Sequence, residues 1–419
     1  MNAASIPAAP APPVAAATPT PAAPVHPLRN PHFVLWWIGA TTSLAGDQFY
    51  LVALPWIVLQ LTGSGVAMGT VAMCAGIPRA VLMLMGGAIT DRTSPRRVLM
   101  ITASARAVLV AAIGVLLWRN TLELWHLYLL ASAFGVADAF AMPSAGPLMR
   151  SLVKPEQLPA ANSLWQSSAL LTGIVGPAPA GMITKALGAA WAFFLDAFSF
   201  LFVIAALWRL PDPPRGPSTG KRSVWSSIGE GLAYVKKDVP LRSLILLAAV
   251  LNFCLSGPLS VGLAYIAKNR FATPTAFGGW ISSVAAGTLA GMLLAGVFKS
   301  RRRGLLLSGT SGLLGLAMAC MALLDGFWPV ALLLAFMGCL SGFINVQIQA
   351  WLQQRVERAV LGRVSSVAML SSFGLMPLSM AAAGVAVEWS ASWMFVMAGG
   401  AVALVAALGA LQRPVREIE

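Results

Sequence analysis

Residues 87–99, GAITDRTSPRRVL, form a short charged stretch between two long apolar runs, and this alternation recurs along the chain. The stretch contains one aspartate and three arginines. By contrast, only 10% of the 419 residues are charged, 58% are hydrophobic and the mean hydropathy is +0.78. A soluble chain of this length needs more polar surface, so the composition indicates an integral membrane protein.

The apolar runs on either side of this stretch have the length of helices that cross a bilayer, about 20 residues. Windows of that length predict twelve spans, and hence an all-α membrane protein. The predicted spans are 32–61, 66–89, 98–118, 124–148, 161–184, 189–208, 241–267, 275–298, 304–324, 327–350, 364–386 and 391–411.

The basic residues are unevenly distributed among the predicted loops. Of the 28 Lys and Arg, 22 fall in the two tails and in, or within two residues of, the loops after spans 2, 4, 6, 8 and 10. Four fall at the opposite loops and two lie within spans. Because basic loops stay in the cytoplasm, both termini are predicted to be cytoplasmic. Topology then accounts for the net charge of +14, and no nucleic-acid partner is expected.

The longest polar break in the chain separates six spans from six. It begins Pro/Gly-rich and continues as SVWSSIGEGLAYVKK, whose apolar residues recur at helical spacing, so it predicts an amphipathic helix at the membrane surface. The expected organisation is a disordered tail (1–30), a six-helix bundle (31–208), this linker (209–240), a second six-helix bundle (241–411) and a tail (412–419).

The two halves also have matching loops. The charged stretch has a counterpart, AGVFKSRRRGLLL, at 295–307, and the loop after span 4 corresponds to the loop after span 10. Basic cytoplasmic loops occur in all polytopic proteins, but here the positions correspond as well as the charges. Such duplication is typical of secondary transporters and predicts two pseudo-symmetric bundles.

Residues 87–99 resemble the loop signature of the major facilitator superfamily, G-x-L-A-D-R-x-G-R-R-x-x-L. The stretch departs from it at Ser94 and Pro95, and the second-half copy has Ser300 in place of the acid. The resemblance implies the major facilitator fold, in which Asp91 contacts the other half and releases it as the halves rock. The residues assigned to the signature are Gly87, Asp91, Arg92, Arg96 and an additional Arg97.

Span 5 contains GIVGPAPAG, which resembles the G-P-x-x-G-G element of the family's antiporters, with Ala180 replacing one glycine. Its prolines and small residues kink a helix and admit a neighbouring backbone, although any bundle can use them for packing. The resemblance favours export over import. The assigned residues are Gly173, Gly176, Pro177 and Gly181.

Four other segments resemble one branch of the superfamily, which includes the enterobactin exporter and macrolide efflux proteins. They are SLAGDQFYLVALPW, GVADAFAMPS, LVKPEQLPAANSL and FFLDAFSF. The resemblance implies a drug:proton antiporter-like transporter.

Asp47, Arg79, Arg106 and Asp138 are charged residues inside predicted spans. A mid-membrane aspartate costs about 2.5–3.5 kcal/mol on insertion scales, so it usually faces a cavity or a partner. At about 1.5 Å per residue, all four lie within a band of about two helical turns on the cytoplasmic side. Two positive and two negative charges can neutralise one another there.

We predict that these four residues couple transport to protons, chiefly at Asp47. An aspartate takes up a proton more readily in an apolar pocket than beside an arginine, so a moving arginine would load or release it. The alternative is a static network that only fixes helix packing. Asp196 in span 6 is a further candidate, but its apolar neighbours suggest no partner.

A substrate cavity is expected between the halves. Ser43, Asp47, Tyr50 and Leu54 share one helix face, which we predict lines this cavity. The second half has no clearly mid-membrane charge, so its neutral amides are candidate contacts. The residues assigned to the cavity are Phe49, Tyr50, Trp56, Asn252, Asn345 and Gln347.

Other chemistries have no recognisable motif. The sequence lacks the phosphate-binding loop of ATP-driven pumps, a histidine cluster for metal and a nucleophile–base pair, so neither a cofactor nor enzymatic activity is expected. The sequence therefore predicts a monomeric inner-membrane exporter of a hydrophobic or amphiphilic drug or siderophore, energised by protons and working by alternating access. A lipid or lysolipid translocator, an importer and a non-transporting sensor or scaffold remain alternatives.

Overall fold

The computed structural model describes residues 26–90, 93–212, 224–298 and 302–412, which are almost entirely helical. Five-residue π-helical segments follow α9 and α10, so that residues 239–271 form one continuous helical segment. The helices are α1 (Pro31–Thr62), α2 (Gly65–Thr90), α3 (Pro95–Trp118), α4 (Leu124–Leu152), α5 (Leu158–Val175), α6 (Pro177–Ala186), α7 (Ala189–Arg209), α8 (Val224–Lys237), α9 (Val239–Gly257), α10 (Leu263–Ile266), α11 (Pro274–Val297), α12 (Arg303–Cys320), α13 (Phe327–Arg355), α14 (Arg358–Phe373), α15 (Met376–Trp389) and α16 (Ala391–Leu411).

Eleven helical segments of the described chain are long and apolar enough to cross a membrane. The predicted span 161–184 is not among them, because it is divided at Gly176 into α5 and α6. Neither α5 nor α6 alone is both long and apolar enough to cross a membrane, although together they cover most of the predicted span. Large apolar side chains such as Val297 and Leu323 are exposed on the outer surface, as a helix facing lipid requires.

The two halves repeat the same helix pairings. In the first half α2 packs along α4 and α3 along α7, and in the second half α11 packs along α13 and α12 along α16. A glycine admits the partner backbone in both central pairs: a Cβ on Gly135 would lie 2.0 Å from the Ala75 carbonyl oxygen, and one on Gly338 would lie 2.2 Å from that of Val284. The fold is therefore an all-α bundle with two pseudo-symmetric halves.

Each half contains one broken helix at the corresponding place, α5/α6 in the first and α14/α15 in the second. Both breaks precede a proline, Pro177 or Pro377, whose missing N–H and bulky ring interrupt the backbone hydrogen bonds. The broken helices are therefore encoded locally, and both contact the opposite half.

The halves pack together where α1 ends and α2 begins, which we call the α1–α2 end. There α2 crosses α15 so closely that a Cβ on Gly384 would lie 2.5 Å from the Gly65 carbonyl oxygen. Glu388 accepts hydrogen bonds from the Ser64 hydroxyl and from the Val66 amide (3.1 Å), which ties the end of α15 to the start of α2. This contact joins the two halves directly.

The linker contains the expected helix, α8, which packs against α14. Glu230 and Arg363 form an ion pair of 2.8 Å between these helices, and Val235 is buried. The position of α8 at a lipid surface and the functional division into the five segments stay predictions. Residues 1–25, 213–223 and 413–419 of the predicted tails and linker lie outside the described residues.

Candidate functional site

The four charged side chains predicted inside the first half form one chain of ion pairs. Arg106 on α3 contacts Asp47 on α1 (Nη2–Oδ1, 2.7 Å) and Asp138 on α4 (Nη1–Oδ1, 3.8 Å). Arg79 on α2 contacts the other oxygen of Asp138 (Nη1–Oδ2, 3.3 Å). The sequence placed these residues at one depth, and the structure brings all four into contact. Their role in proton coupling stays a prediction.

Aromatic rings enclose the central arginine. The Arg106 guanidinium carbon lies 4.7 Å from the centre of the Phe134 ring and 4.6 Å from that of Phe200. Cation–π attraction to the two rings stabilises its charge where water is scarce. The Asp47 side chain is 29% exposed, whereas that of Arg106 is 13% exposed. Asp47 is therefore the more exposed member of this pair.

The chain of charges ends against the second half. Arg79 Nη2 lies 3.8 Å from the Met376 sulfur at the start of α15, directly after the break in α14/α15. One turn before Arg79, a Cβ on Gly76 would lie 2.5 Å from the Pro377 ring. Four charged residues thus connect α1 to the broken helix of the opposite half.

The antiporter-like element of span 5 lies beside Gln48 on α1. A Cβ on Gly176 would lie 2.5 Å from the side chain of Gln48, and a Cβ on Gly278 of α11 would lie 2.2 Å from the Pro177 carbonyl oxygen. The Ala178 amide, freed by the break, donates to the Ser282 hydroxyl of α11 (3.2 Å). The break therefore contacts both α1 and the second half.

Two of the assigned glycines in this element differ in their surroundings. A Cβ on Gly181 would lie 2.6 Å from the Pro274 carbonyl oxygen, so this position requires a glycine for close packing. A Cβ on Gly173 would lie 3.9 Å from Ala285, an ordinary contact distance. Space alone does not require glycine at that position.

Two arginines of the loop signature, Arg96 and Arg97, contact residues at and just after the end of α7. Arg96 donates to the carbonyl oxygens of Leu207 (2.6 Å) and Trp208 (3.0 Å) at the end of α7, where a cation complements the helix dipole. Arg96 and Arg97 each contact Asp212 at 3.2 Å. Asp91, Arg92 and Ser300 lie outside the described residues, and of Gly87 only its place in α2 is described. The expected contact of Asp91 with the other half therefore stays a prediction.

Asp212 was not assigned from the sequence, although an acid just after span 6 in a basic linker was the available signal. Partial desolvation raises the pKa of its carboxyl, but hydrogen bonds from Ser94, Arg96 and Arg97 outweigh this, and the pKa is lowered below 3.8. The contribution of Asp212 to stability is therefore complete above pH 3.8 and is lost as the pH falls through the lower folded value.

Asp212→Asn should lower the thermal unfolding midpoint slightly at neutral pH, because two arginines lose their carboxylate partner. The decrease should disappear well below pH 3.8, where the wild-type carboxyl is also protonated. Thermal unfolding of both proteins across this pH range checks the prediction. A decrease of equal size at every pH would contradict it.

A cavity of about 530 Å³ lies between α9, α13 and α14, inside the second half rather than between the halves as expected from the sequence. Asn252 and Asn345 line it, as assigned from the sequence, together with Gln349, Trp351 and aliphatic side chains. All the lining residues are uncharged. The cavity suits a largely apolar ligand that presents a few hydrogen-bonding groups.

Gln347 is placed elsewhere, which corrects its assignment to the cavity. Its side chain is buried and donates to the Phe298 carbonyl oxygen at the end of α11 (3.3 Å). Residues two apart on a helix point about 200° from each other, so Asn345 and Gln347 cannot face the same space.

The aromatic residues assigned to the cavity also lie among other side chains. Tyr50 stacks on Phe134 with ring centres 4.7 Å apart, and Phe49 packs against the apolar core. Trp56 is buried, with the Lys268 ammonium 4.9 Å from its ring centre. The predicted cavity-lining face of α1 instead packs largely inside the first half, because helical spacing cannot distinguish a cavity from a neighbouring helix.

The fold and this arrangement can be compared with known proteins. A family model described as Major Facilitator Superfamily matches residues 36–379. The chain belongs to the major facilitator superfamily. It is therefore a transporter rather than an enzyme.

Relatives with efflux names cover most of this transporter. It is 30% identical over 373 residues to multidrug efflux pump Tap of Mycolicibacterium fortuitum, covering 85% of this chain and 89% of the relative. It is 24% identical over 345 residues to macrolide efflux protein A of Streptococcus pyogenes, covering 80% and 84%. These similarities are consistent with the drug:proton antiporter-like branch.

Solved structures share the fold of this transporter. The nucleoside transporter NupG matches with a TM-score of 0.72 and 14% identity, covering 90% of this chain and 98% of that one. A bacterial homologue of ferroportin in an inward-facing state matches with a TM-score of 0.69 and 18% identity, covering 92% and 99%. At such identities the similarity concerns the fold alone.

Proposed function

We propose that this transporter is a proton-coupled exporter of hydrophobic or amphiphilic small molecules such as drugs or siderophores, working by alternating access. The observation that carries the proposal is the chain of ion pairs from Asp47 through Arg106 and Asp138 to Arg79. It connects a part-exposed carboxylate to the boundary between the halves.

Proton binding at Asp47 would remove the negative charge that holds Arg106. Arg106 also contacts Asp138, so a movement of Arg106 away from Asp47 would change the interaction of Asp138 with Arg79. Arg79 touches Met376 at the broken helix of the second half. Protonation of Asp47 therefore favours a different arrangement of the boundary between the halves. The two arrangements then differ in their affinity for the proton, and coupling requires such a difference.

The cavity of the second half supports a bulky apolar substrate. Its lining combines aliphatic side chains and Trp351 with the amides of Asn252 and Asn345. The names of the relatives, a multidrug efflux pump and a macrolide efflux protein, support the same substrate class. In this proposal the proton gradient supplies the energy for transport, and no cofactor takes part.

The predicted topology places the α1–α2 end outside the cell, and the halves are packed together at that end. The cavity extends to Leu241 near the start of α9 and Leu352 near the end of α13, at the opposite end of the second half. We assign this conformation to the substrate-loading state, in which the cavity is reached from the cytoplasm.

The test is substrate movement in reconstituted vesicles under an imposed pH gradient. A panel of dyes, macrolides and siderophores is offered on the side that corresponds to the cytoplasm, with the opposite compartment acidic. At least one compound should accumulate in the acidic compartment, and collapsing the gradient with a protonophore should release it. The absence of movement for every compound would contradict export, and movement insensitive to the pH gradient would contradict proton coupling.

Asn345→Leu should weaken substrate binding by about 2- to 10-fold, because an amide that hydrogen-bonds the substrate is replaced by an apolar group of similar size. Asn269→Leu is the matched control, since Asn269 is exposed and lies outside the cavity. The measurement is the half-saturating concentration of a transported panel member. Equal values for Asn345→Leu and the control would contradict the assignment of this cavity.

A further inference from the structure

Asp196 on α7 is a carboxylate enclosed inside the first half. Its side chain is 0% exposed, and neither carboxylate oxygen has a hydrogen-bond partner among the residues that the structure describes. The Ser199 hydroxyl, the polar group next to the carboxylate, has its proton directed to the backbone carbonyl oxygen of Asp196 (2.7 Å). An ionised carboxylate without a donor is very unfavourable in such surroundings, so burial favours the neutral acid.

This carboxyl lies next to the chain of ion pairs. A Cβ on Gly46, the residue before Asp47, would lie 2.8 Å from Asp196 Oδ1, so only a glycine at position 46 lets α1 and α7 approach this closely. The charged groups that act on Asp196 are Asp47 on α1 and Arg106 on α3.

Two further titratable groups belong to the helices packed on α7. The Tyr50 hydroxyl on α1 is near enough to interact with Asp196, and it too is buried without a hydrogen-bond partner in the described part of the chain. The third neighbouring helix, α6, carries one titratable residue, Lys185, which is exposed to the surroundings of the bundle. The charged and titratable groups near Asp196 inside the first half therefore lie on α1, α2, α3, α4 and α7.

A count of charges shows what Asp196 adds to this set. Arg79 and Arg106 supply two positive charges, while Asp47, Asp138 and Asp196 supply three negative charges when all are ionised. One bound proton makes the set neutral. In this conformation the two other carboxylates, Asp47 and Asp138, are engaged with Arg106 or Arg79, which leaves Asp196 as the carboxyl of the set without a cation in contact among the described residues.

We propose that Asp196 is a second proton-binding residue of the transporter, holding the proton inside the first half while Asp47 is paired with Arg106. The inference rests on the proposed proton coupling and specifies its route. When the O–H bond of Asp196 breaks and one forms on Asp47, Arg106 loses its partner at Asp47 and gains one at Asp196. One proton is transferred from Asp196 to Asp47, and the five charged residues together stay neutral throughout.

The direct test is infrared difference spectroscopy of the reconstituted transporter, since a protonated carboxyl in dry surroundings has a carbonyl band separate from that of carboxylates. Wild type at neutral pH should show this band, with the small shift in D₂O that identifies an exchangeable acid. Asp196→Asn should lack the band, and Asp196→Glu should keep it. Asp325→Asn, at an exposed loop acid paired with Arg270, should not change it.

Transport measurements complete the test. Asp196→Asn should lose accumulation driven by the pH gradient while retaining exchange of labelled for unlabelled substrate, which also shows that the variant is folded. A neutral-pH spectrum without the band in wild type, or an unchanged band in Asp196→Asn, would overturn the inference. Full pH-driven accumulation by Asp196→Asn would overturn it as well. If transport by the wild type does not depend on the pH gradient, the proposed function is overturned instead, whatever the spectrum shows.

Discussion

Asp47→Asn is expected to abolish pH-gradient-driven accumulation of substrate while leaving substrate exchange without a gradient in place. The asparagine has the size of the protonated aspartic acid but cannot release a proton, so Arg106 permanently lacks its 2.7 Å partner. Removing one member of a part-buried charged pair costs on the order of 1–3 kcal/mol, or about 5- to 150-fold in the balance between two states. The measurement is accumulation of a transported panel compound in vesicles, with exchange measured in parallel.

Asp325→Asn provides the matched control for Asp47→Asn. It makes the same chemical change at a carboxylate that is 90% exposed and paired with Arg270 in a loop. We expect Asp325→Asn to accumulate substrate under a pH gradient as the wild type does. If Asp47→Asn still concentrates substrate against its gradient, coupling does not pass through Asp47, and the ion pairs are then a static network that fixes helix packing.

Gly384→Ala is expected to shift the transporter away from the conformation in which the α1–α2 end is closed. Its new methyl group would lie 2.5 Å from the Gly65 carbonyl oxygen, and backbone on both sides leaves little room for adjustment. Overpacking of this kind costs about 1–3 kcal/mol, which corresponds to about a 5- to 150-fold loss in the population of the closed state. Transport should slow, because each cycle must pass through that state.

The population of the closed state can be read from a cysteine at position 387. Val387 is 1% exposed and packs at this boundary, so Val387→Cys should react with a water-soluble thiol reagent only when the end opens. The four native cysteines are first replaced by serine. Gly384→Ala should accelerate labelling, whereas Gly400→Ala should not, since a Cβ on Gly400 meets no atom within 4 Å. Equal labelling in both variants would show that the boundary tolerates the methyl group.

The sequence predicted the parts of the molecule that depend on patterns along single helices. Apolar windows and the distribution of arginines predicted two six-helix halves, and depth along each helix predicted that Asp47, Arg79, Arg106 and Asp138 share one level. Charges at one level in an apolar interior must find one another, because unpaired ions are costly there. The contacts among these four residues follow from that requirement.

The parts that the sequence did not predict depend on the rotation of each helix and on its neighbours. Tyr50 and Gln347 were assigned to a cavity by polarity or spacing, but neighbouring helices occupy the space beside them. The apolar residues that flank Asp196 suggested no partner, and none contacts its carboxylate oxygens among the described residues, but the charged groups near it on α1 and α3 could not be identified from its own segment. Likewise, nothing near Glu388 in the chain indicates Ser64 as its contact.

The boundary between the halves explains why these tertiary contacts matter for transport. Contacts across this boundary join the broken helix α5/α6 to α11, the broken helix α14/α15 to α2, and the last arginine of the ion-pair chain to Met376. Rearrangement of side chains at Asp47 can therefore reach the second half through contacting residues alone. Each of these contacts is a position at which a substitution should change coupling more than folding.

The central claim is that substrate export and inward proton movement are one coupled event. Its most direct test is proton movement driven by substrate alone: vesicles without a pH gradient are loaded with a transported compound, and a trapped pH-sensitive dye reports the lumen. Outward flow of the compound should move protons in the opposite direction, with Asp47→Asn showing none. Substrate flow from wild type without any proton movement would contradict the account.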